Sequence, residues 1–298
     1  MLRRLQGQVF RATKLLGQPQ TVWQRRRVLD SLTSHGQRIN SDTAGVIRLT
    51  LRVHYREAGK SSGPSFPAPT APRSTDLRAM AKIAHLPALA RVTLDLVVVI
   101  DTETTGLLDR PEVVPFLVGL GHFEPREFVI EQLFMEDFES ELAMLTALAH
   151  CMRPFRVILT YNGKTFDLPL LRRRFAIHRL PSGTWKRPHW DILRTVRRLW
   201  HTGQSRAREQ AAEVRSCSLT DIERDVLGFH RTRTIESNRI PDVYHDYLGG
   251  RRAERLAAVF DHNAQDILTT AAVATKSARW PILPVGGQEF RPTGPDAV

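Results

Sequence analysis

The sequence predicts an α/β fold in which a central β-sheet is flanked by helices. The chain has 298 residues, enough for a sizeable core, and 42% of them are hydrophobic. Strand and helix patterns alternate, with predicted strands at 94–103, 116–123 and 127–134, a helix at about 139–152 and a strand at 157–161. Helical patterns follow, so the order is three strands, then helix, strand and helix.

The first predicted strand ends in two acidic residues. The apolar, β-branched run over 96–100 is typical of a buried strand. Asp101 and Glu103 come where this run ends, and the alternation of side chains along a strand puts both on one face. Thr104, followed by Thr105 and Gly106, predicts a turn directly after the acids.

Two further acids lie where helices are predicted. Asp167 begins an amphipathic stretch, and the polar residues at 162–165 predict the loop that enters it. Asp266 lies in a long helical pattern over 251–278. His262 precedes Asp266 by four residues, so the two side chains share one helical face.

Four carboxylates in three separate segments point to bound cations. Carboxylates that are packed together repel each other and are costly to desolvate. Hard divalent cations prefer oxygen ligands and offset that repulsion. Taken alone, Asp167 suits a helix N-cap and Asp266 a solvated helix position, and only the joint pattern favours a cation site. The candidate ligands are Asp101, Glu103, Asp167 and Asp266.

Three motifs occur in order along the chain: IDTETTGL (100–107), YNGKTFDLPLL (161–171) and HNAQDI (262–267). Together they resemble the three exonuclease motifs of the DEDD 3′→5′ exonuclease superfamily, whose fold is ribonuclease-H-like. The resemblance is closer to the YprB-type ribonuclease-H-like domain and runs from about 94 to 280. A lone Asp-x-Glu is a weak signal, whereas three motifs in the right order are a strong one. Two further phrases carry the resemblance, HWDILRTVRRLW (189–200) and SCSLTDIE (216–223).

The resemblance implies a mixed central sheet and metal-dependent hydrolysis of phosphodiester bonds. In that superfamily the four acids hold two divalent ions, usually Mg²⁺ or Mn²⁺, and Asp101 is the candidate that bridges both. Two such ions can activate a water, clamp the attacked phosphate and stabilise the leaving oxygen. The resemblance also implies cleavage in the 3′→5′ direction. We expect single-stranded ends of DNA or RNA as substrates, because a terminal phosphodiester has to reach two ions at the edge of the strand.

His262 is the candidate general base. The His-type branch of the superfamily has four residues between its histidine and the last aspartate, and the Tyr-type branch has three between its tyrosine and that aspartate. Here His262 stands at the tyrosine spacing, and one residue of slippage turns a helical side chain by roughly 100°. His262 therefore either deprotonates the attacking water or supports a metal ligand. His189 is an alternative base, and Asp191 beside it is predicted to be the N-cap of a helix over 192–200.

Four residues near the acids are predicted to contact the substrate. Asn162 and Gly163 suit contacts to a nucleic-acid backbone, because glycine permits close approach. An ordinary turn is the alternative for both. Phe166 is predicted to lie in the core. The candidate substrate-binding residues are Thr104, Asn162, Gly163 and Asn263.

Charge and composition divide the chain into segments. Residues 1–95 hold 16 Lys and Arg against 5 Asp and Glu, so most of the net charge of +12 lies there. Such a segment attracts phosphates and is predicted to be partly disordered. The predicted segments are a basic N-terminal extension (1–58), a Pro/Ser-rich linker (59–75), a connecting segment (76–93), the ribonuclease-H-like exonuclease domain (94–280) and an irregular tail (281–298).

Other observations concern the compartment. Two cysteines, Cys151 and Cys217, do not form a disulfide framework or a zinc site, which suits a reducing interior. No apolar run approaches the roughly 20 residues that span a bilayer. The Arg-rich start has no apolar core typical of a secretory signal and would suit a mitochondrial presequence in a eukaryote. The resemblance is to a bacterial family, so the expected compartment is the cytoplasm.

Two other function classes stay open at this stage. One is a nucleic-acid-binding module on an exonuclease fold with weak or no catalysis. The other is a structure-specific endonuclease or ribonuclease. The residues do not distinguish DNA from RNA, because that choice depends on contacts to the 2′-hydroxyl. They do not set the oligomeric state either.

Overall fold

The computed structural model describes residues 38–43, 45–55, 73–106, 110–207, 216–231 and 235–279. Most of the predicted basic extension and linker, and the whole predicted tail, lie outside these ranges. No helix within them is both long enough and apolar enough to cross a bilayer.

A mixed sheet forms the centre of the fold, as the resemblance implied. The described residues contribute seven strands, in the order β1-β2-β5-β4-β3-β6-β7. Neighbours from β1 to β3 are antiparallel, whereas β3–β6 and β6–β7 are parallel. Their bounds are β1 (Arg38–Thr43), β2 (Val46–His54), β3 (Val97–Thr104), β4 (Pro115–Phe123), β5 (Glu127–Met135), β6 (Val157–Thr160) and β7 (His189–Asp191).

Helices cover both faces of the sheet. Their bounds are α1 (Ser74–Ala84), α2 (Glu141–Cys151), α3 (Asp167–Ile177), α4 (Ile192–Ala207), α5 (Leu219–Ile222), α6 (Ile240–Leu248) and α7 (Leu256–Ser277). A π-helical turn, Glu223–Leu227, continues α5. The long helix predicted from 251 begins later, because Arg252 has a left-handed backbone conformation (φ 46°) that interrupts it before a 3₁₀ turn at Ala253–Arg255.

The sheet begins earlier in the chain than the predicted domain start at 94. Strand β2 lies in the segment predicted to be a basic extension, yet it pairs along its whole length with β5. Two of the basic residues counted in the predicted extension pair with acids of the sheet region: Arg48 binds Glu131 at 2.8 Å, and Arg52 binds Glu124 at 3.2 Å. The predicted boundary is therefore wrong at this strand, because local charge obscured the alternation of its side chains.

Strand β3 has a different hydrophobic cluster on each side. Val98 and Ile100 pack with α2, α3 and α6. Val97 and Val99 pack with α1, α4 and most of α7. Because side chains alternate along a strand, Asp101 continues the row of Val97 and Val99 and lies on the α7 side. The fold thus directs the first acidic motif towards the helix that carries the last one.

Candidate active site

Asp101 at the end of β3 is held by α7. The Asn263 side chain donates from Nδ2 to Asp101 Oδ2 at 2.8 Å. Gln132 in β5 donates to Asn263 Oδ1 at 3.0 Å and to the carbonyl of Phe260 at 2.9 Å. Asn263 is fully buried, and its predicted contact with substrate stays a prediction. Both ends of its amide are used to position Asp101.

This hydrogen bond requires a glycine opposite Asp101. Gly119 in β4 pairs with Asp101 across the sheet. A Cβ at Gly119 would lie 2.2 Å from Asn263 Oδ1 and 2.3 Å from Ile267 Cδ1. Only the absence of a side chain allows α7 to lie this close to the sheet. Sequence reasoning missed Gly119 and Gln132, since neither belongs to an acidic motif.

Asp167 is the first residue of α3 and is buried. Thr102 in β3 donates from Oγ1 to Asp167 Oδ1 at 2.6 Å, which links the second acidic motif to the first. Burial raises the pKa of Asp167 to about 6, although the hydrogen bond from Thr102 opposes the rise.

Asp266 on α7 is held by an arginine that the sequence analysis did not single out. Arg231 donates from Nη2 to Asp266 Oδ1 at 2.5 Å. Glu223 accepts two further bonds from the same guanidinium, at 2.5 Å from Nε and 2.8 Å from Nη2. No local signal reveals the contact between Arg231 and Asp266, because the two residues are 35 positions apart in sequence.

The four predicted acids share one electrostatic environment. Burial raises the pKa of Asp101 well above its ordinary value, and the charges of Asp266, Glu103 and Asp167 raise it further. Burial and the charges of Asp266 and Asp167 also raise the pKa of Glu103, while Arg231 lowers it. The structure therefore brings together carboxylates from three separate segments.

The donor set fits a hard divalent cation in kind, since it consists of carboxylate oxygens. Each of three acids is, however, turned to its own protein partner: Asp101 to Asn263, Asp167 to Thr102, and Asp266 to Arg231. Among the described residues, no group of three or more His, Cys, Asp or Glu side chains is arranged around one ion position. Carboxylates have to rotate before three of them meet at one ion.

His262 lies beside Asp266, with 3.4 Å between Nε2 and Asp266 Oδ2. Its Nδ1 is buried and has no hydrogen-bond partner within the described part of the chain. Burial lowers the pKa of His262, so the ring is neutral near pH 7 and is able to accept a proton. The catalytic role of His262 stays a prediction.

His189, the alternative base, is part of a structural bond. Its Nε2 lies 2.8 Å from Thr160 Oγ1, and burial lowers its pKa to about 4. Thr160 is itself buried at the end of β6. His189 begins strand β7, which the sequence analysis did not predict, because a run of three residues gives too short a pattern to identify a strand.

Asp191 organises the loop that leads to Asp167. It accepts hydrogen bonds from the backbone N–H groups of Asn162 at 2.8 Å and Lys164 at 3.2 Å. It also accepts one from Leu193 N at 3.2 Å, so the predicted N-cap of α4 is confirmed. Asn162 has a left-handed backbone (φ 66°), and its side-chain oxygen accepts a bond from Thr165 at 2.8 Å.

The other predicted residues of this region differ in exposure. Gly163 is buried, and a Cβ there would lie 2.4 Å from Thr160 Oγ1, so its close approach is to Thr160 rather than to a substrate. Thr104 donates from Oγ1 to the carbonyl of Gly106 at 2.7 Å, in the predicted turn. Phe166 was predicted to lie in the core, but it is 47% exposed. It comes one residue before α3 and does not share the helix face that packs inward.

Metal-free protein is expected to lose stability as the pH rises from about 4 to about 6. Asp167 has a pKa of about 6 in the fold against an ordinary 3.8, so the folded state binds its proton more tightly. Stability from this proton is complete below pH 4 and is lost as the pH rises through 6, with an effect of up to about 3 kcal/mol. Asp167→Asn should lose the contribution of Asp167 and show a weaker pH dependence than wild type, while Asp101 and Glu103, whose pKa values are also raised, keep theirs; thermal unfolding in EDTA measures the difference.

The control is Asp95→Asn, because Asp95 is an exposed acid outside the site. A pH dependence that is the same in wild type and Asp167→Asn would contradict the expectation. Dependence that changes equally in both variants would also contradict it.

The sequence profile of the RNase_H superfamily matches residues 98–278. This chain belongs to the RNase_H superfamily. The match covers β3 to α7, and with them all four acids. The predicted ribonuclease-H-like fold is therefore confirmed.

Two further similarities were found. The chain is 28% identical over 174 residues to "Uncharacterized protein YprB" of Bacillus subtilis (strain 168), which covers 57% of this chain and 38% of that protein. This RNase_H superfamily chain thus spans about two fifths of the relative's length. A family B DNA polymerase from the archaeon Pyrobaculum calidifontis aligns with a TM-score of 0.45 and 16% identity, over 60% of this chain and 24% of the polymerase.

Proposed function

We propose that this protein is a divalent-metal-dependent 3′→5′ exonuclease that hydrolyses phosphodiester bonds of single-stranded DNA or RNA by a two-metal mechanism. The observation that carries the proposal is that acids from three segments act electrostatically on Asp101 and Glu103 near the end of β3 and raise their pKa, in an RNase H-like fold. The polarity and the exonucleolytic mode come from the resemblance to the DEDD superfamily.

The four acids would hold two Mg²⁺ or Mn²⁺ ions. Bound ions of this kind supply activation of water and stabilisation of the leaving oxygen. The protein's part is to keep its carboxylates close to their working positions. Three fixed donors do this, one for each segment: Asn263 for Asp101, Thr102 for Asp167 and Arg231 for Asp266. Such second contacts orient ligands and limit the reorganisation that binding requires.

His262 would take the proton of the attacking water. Its ring is neutral near pH 7, since burial lowers its pKa. The carboxylate of Asp266, 3.4 Å away, would stabilise the imidazolium that forms when the ring accepts the proton. Because both residues lie on α7, their separation is fixed by the helix.

The loop before Asp167 supports binding of a single strand. Phe166 exposes 47% of its surface directly beside the buried Asp167, and an exposed ring offers a face on which a base can stack. Lys164 in the same loop is exposed. Its positive charge and those of Arg172 and Arg194 lower the pKa of His189, so the three basic residues lie near one another around this histidine. A basic surface with an aromatic ring next to the acids suits a phosphate backbone with unpaired bases.

A nucleic-acid-binding module with weak or no catalysis is the second candidate. The observation in its favour is that no three acidic or histidine side chains of the described residues are arranged around one ion position.

We also propose a cytoplasmic location, supported by the two free thiols of Cys151 and Cys217.

The test uses single-stranded DNA and RNA labelled at the 5′ end, incubated with Mg²⁺, Mn²⁺ or EDTA. The proposal predicts a ladder of products that shorten stepwise in either cation and no products in EDTA. A phosphorothioate block at the 3′ terminus should stop the reaction, whereas the same block at the 5′ terminus should not. Internal cuts would identify an endonuclease, and retardation in a gel without cleavage would identify a binding module.

A further inference from the structure

One stretch of the chain, 153–198, is strongly basic although the residues around it are not. It holds 12 Lys and Arg and only two acids, Asp167 and Asp191. Both acids are buried, so the stretch adds no exposed carboxylate to the surface. The overall composition conceals this excess, because residues 96–298 together hold 27 Lys and Arg against 26 Asp and Glu.

Part of this charge lies along β7. Among the described strands, β7 is an outer strand of the sheet and pairs with β6. Arg187 comes two residues before β7 begins, and Arg156 comes directly before β6. Burial lowers the pKa of Arg187 and the charge of Arg156 lowers it further, so the two guanidinium groups are neighbours.

Three further basic side chains lie around β7. Lys164, Arg172 and Arg194 are all exposed, and their charges act on His189. The backbone N–H of Lys164 donates to Asp191 at 3.2 Å, so the basic region reaches the loop that leads to α3. We call this set the basic strip: Arg156, Lys164, Arg172, Arg187 and Arg194.

The charges of the basic strip are held in place without being neutralised. Arg172 donates from Nη2 to the carbonyl of Trp185 at 2.7 Å, and Arg187 donates to the carbonyl of Met152. Arg156 donates to the carbonyls of the three residues before it, at 2.9, 3.0 and 3.1 Å. Within the described ranges, no carboxylate forms an ion pair with a residue of the strip. Backbone carbonyls fix a guanidinium but carry no net charge, so the strip stays available to an anionic ligand.

The basic strip has one exposed aromatic neighbour, Phe166. Of all Phe, Tyr and Trp side chains in the described residues, only this one is exposed. The other aromatic side chains of the 153–198 stretch are half-buried (Tyr161) or buried (Phe155, Phe175, Trp185 and Trp190). Proteins that bind single strands stack successive bases on several aromatic side chains. A single ring provides a place for one base before α3, and the remainder of the strip offers positive charge alone.

We infer that the basic strip binds the phosphate backbone of a double-stranded region, and that the substrate is a duplex whose 3′ strand ends in a few unpaired nucleotides. This inference rests on the proposed function. The bases of a duplex stack on one another, so they need no aromatic side chains from the protein. A duplex also carries one phosphate charge per about 1.7 Å of its axis, so a basic surface gains more from counterion release on a duplex than on one strand. The unpaired end would pass Phe166 to reach the acids.

The test measures binding by fluorescence anisotropy in EDTA. The probes are a DNA duplex with a short 3′ overhang, the blunt form of the same duplex, and the single strand of the same sequence and length, with RNA versions as a second series. Wild-type protein should bind the overhang duplex at least about tenfold more tightly than the single strand at equal salt. Phe166→Ala should weaken binding of the overhang duplex and leave binding of the blunt duplex unchanged.

The main variant is Arg156→Gln with Arg194→Gln, which removes two exposed charges from the basic strip. The affinity for both duplex probes should fall by at least about tenfold, and the slope of log affinity against log salt should fall by about two. The matched control is Arg78→Gln with Arg126→Gln, because these two arginines lie on α1 and in the turn between β4 and β5 and are also exposed. The control should keep the wild-type affinity. Lys164→Gln with Arg194→Gln replaces the main variant if thermal unfolding shows that the main variant does not fold.

The outcomes separate the inference from the proposed function. Equal affinity of wild type for the overhang duplex and the single strand would overturn the inference. A folded strip variant that keeps the duplex affinity overturns it too, as does a control variant that loses as much affinity as the strip variant. Poly-glutamate that displaces the duplex as well as unlabelled duplex does would mark a site for acidic polymers in general, which also overturns it. The proposed function fails separately, if the duplex binds through the strip but no probe is shortened in Mg²⁺ or Mn²⁺.

Discussion

Replacing Asp101 by asparagine is expected to lower the rate of nucleotide release by at least about a thousandfold, equivalent to roughly 4 kcal/mol in the activation barrier. The charges of the three other acids all raise the pKa of Asp101, so Asp101 is central to the site. Asparagine has nearly the same shape, and its oxygen still accepts the bond from Asn263. The loss should therefore come from the missing charge and not from a changed fold.

The measurement is single-turnover release from a 3′-labelled single strand in Mn²⁺. Asp95→Asn is the control, because it removes an exposed acid six residues earlier and should leave the rate unchanged. Thermal unfolding in EDTA gives a second readout. Asp101→Asn should be as stable as wild type or more stable, since a buried, mutually repelling charge is gone. Wild-type activity in Asp101→Asn would refute the catalytic assignment.

Replacing Gly119 by alanine is expected to destabilise the protein by about 2–3 kcal/mol, a typical cost of overpacking. The new methyl group would overlap Asn263 Oδ1 and Ile267 Cδ1 at distances of 2.2 and 2.3 Å. Relief requires the side chains of Asn263 and Ile267, or α7 with them, to move away from β4, and movement of Asn263 would also stretch its bond to Asp101. The unfolding midpoint should fall by roughly 5–10 °C, because 1 kcal/mol corresponds to about 2–4 °C in a domain of this size.

Gly183→Ala provides the control for Gly119→Ala. Nothing lies within 4 Å of a Cβ built at Gly183, so the same substitution should have little effect there. Both variants are compared by calorimetry and by nuclease activity at a temperature where they are folded. Equal midpoints for the two variants would show that α7 does not depend on this close approach.

The acidic motifs were predictable because their signals are local. The apolar run before Asp101 marks a buried strand whatever lies beside it. Asp167 opens a helix and Asp191 caps one, and both positions follow from short-range patterns. The prediction that His262 and Asp266 share a helix face used only the helical period, and their side chains lie 3.4 Å apart. The periodicity of the side chains and the order of the motifs were therefore enough to predict which strand and which helices carry the acids.

The supporting residues were not predictable from the sequence alone. Asn263 is a polar residue next to an acidic motif, which is typical of a substrate contact. Only its burial and its hydrogen bond to Asp101 identify it as the partner of that acid. Arg231 looks like any loop arginine until Glu223 and Asp266 are found beside it. Gly119 is ordinary in a strand unless the helix above it is known. In each case the cause is a contact between residues that are distant in sequence.

The close packing of Gly119 and Gly121 against one side chain of α7 has a consequence for how the site tolerates change. Ile267 fills the space over both glycines, with Cδ1 over Gly119 and Cγ2 over Gly121. Ile267 therefore acts, together with the hydrogen bonds of Asn263, against sliding of α7 along the sheet. A slip of one helical turn would carry His262 and Asp266 about 5.4 Å from their present position. Enlarging the side chain at either glycine is thus expected to displace the acids of α7 although neither glycine contacts them.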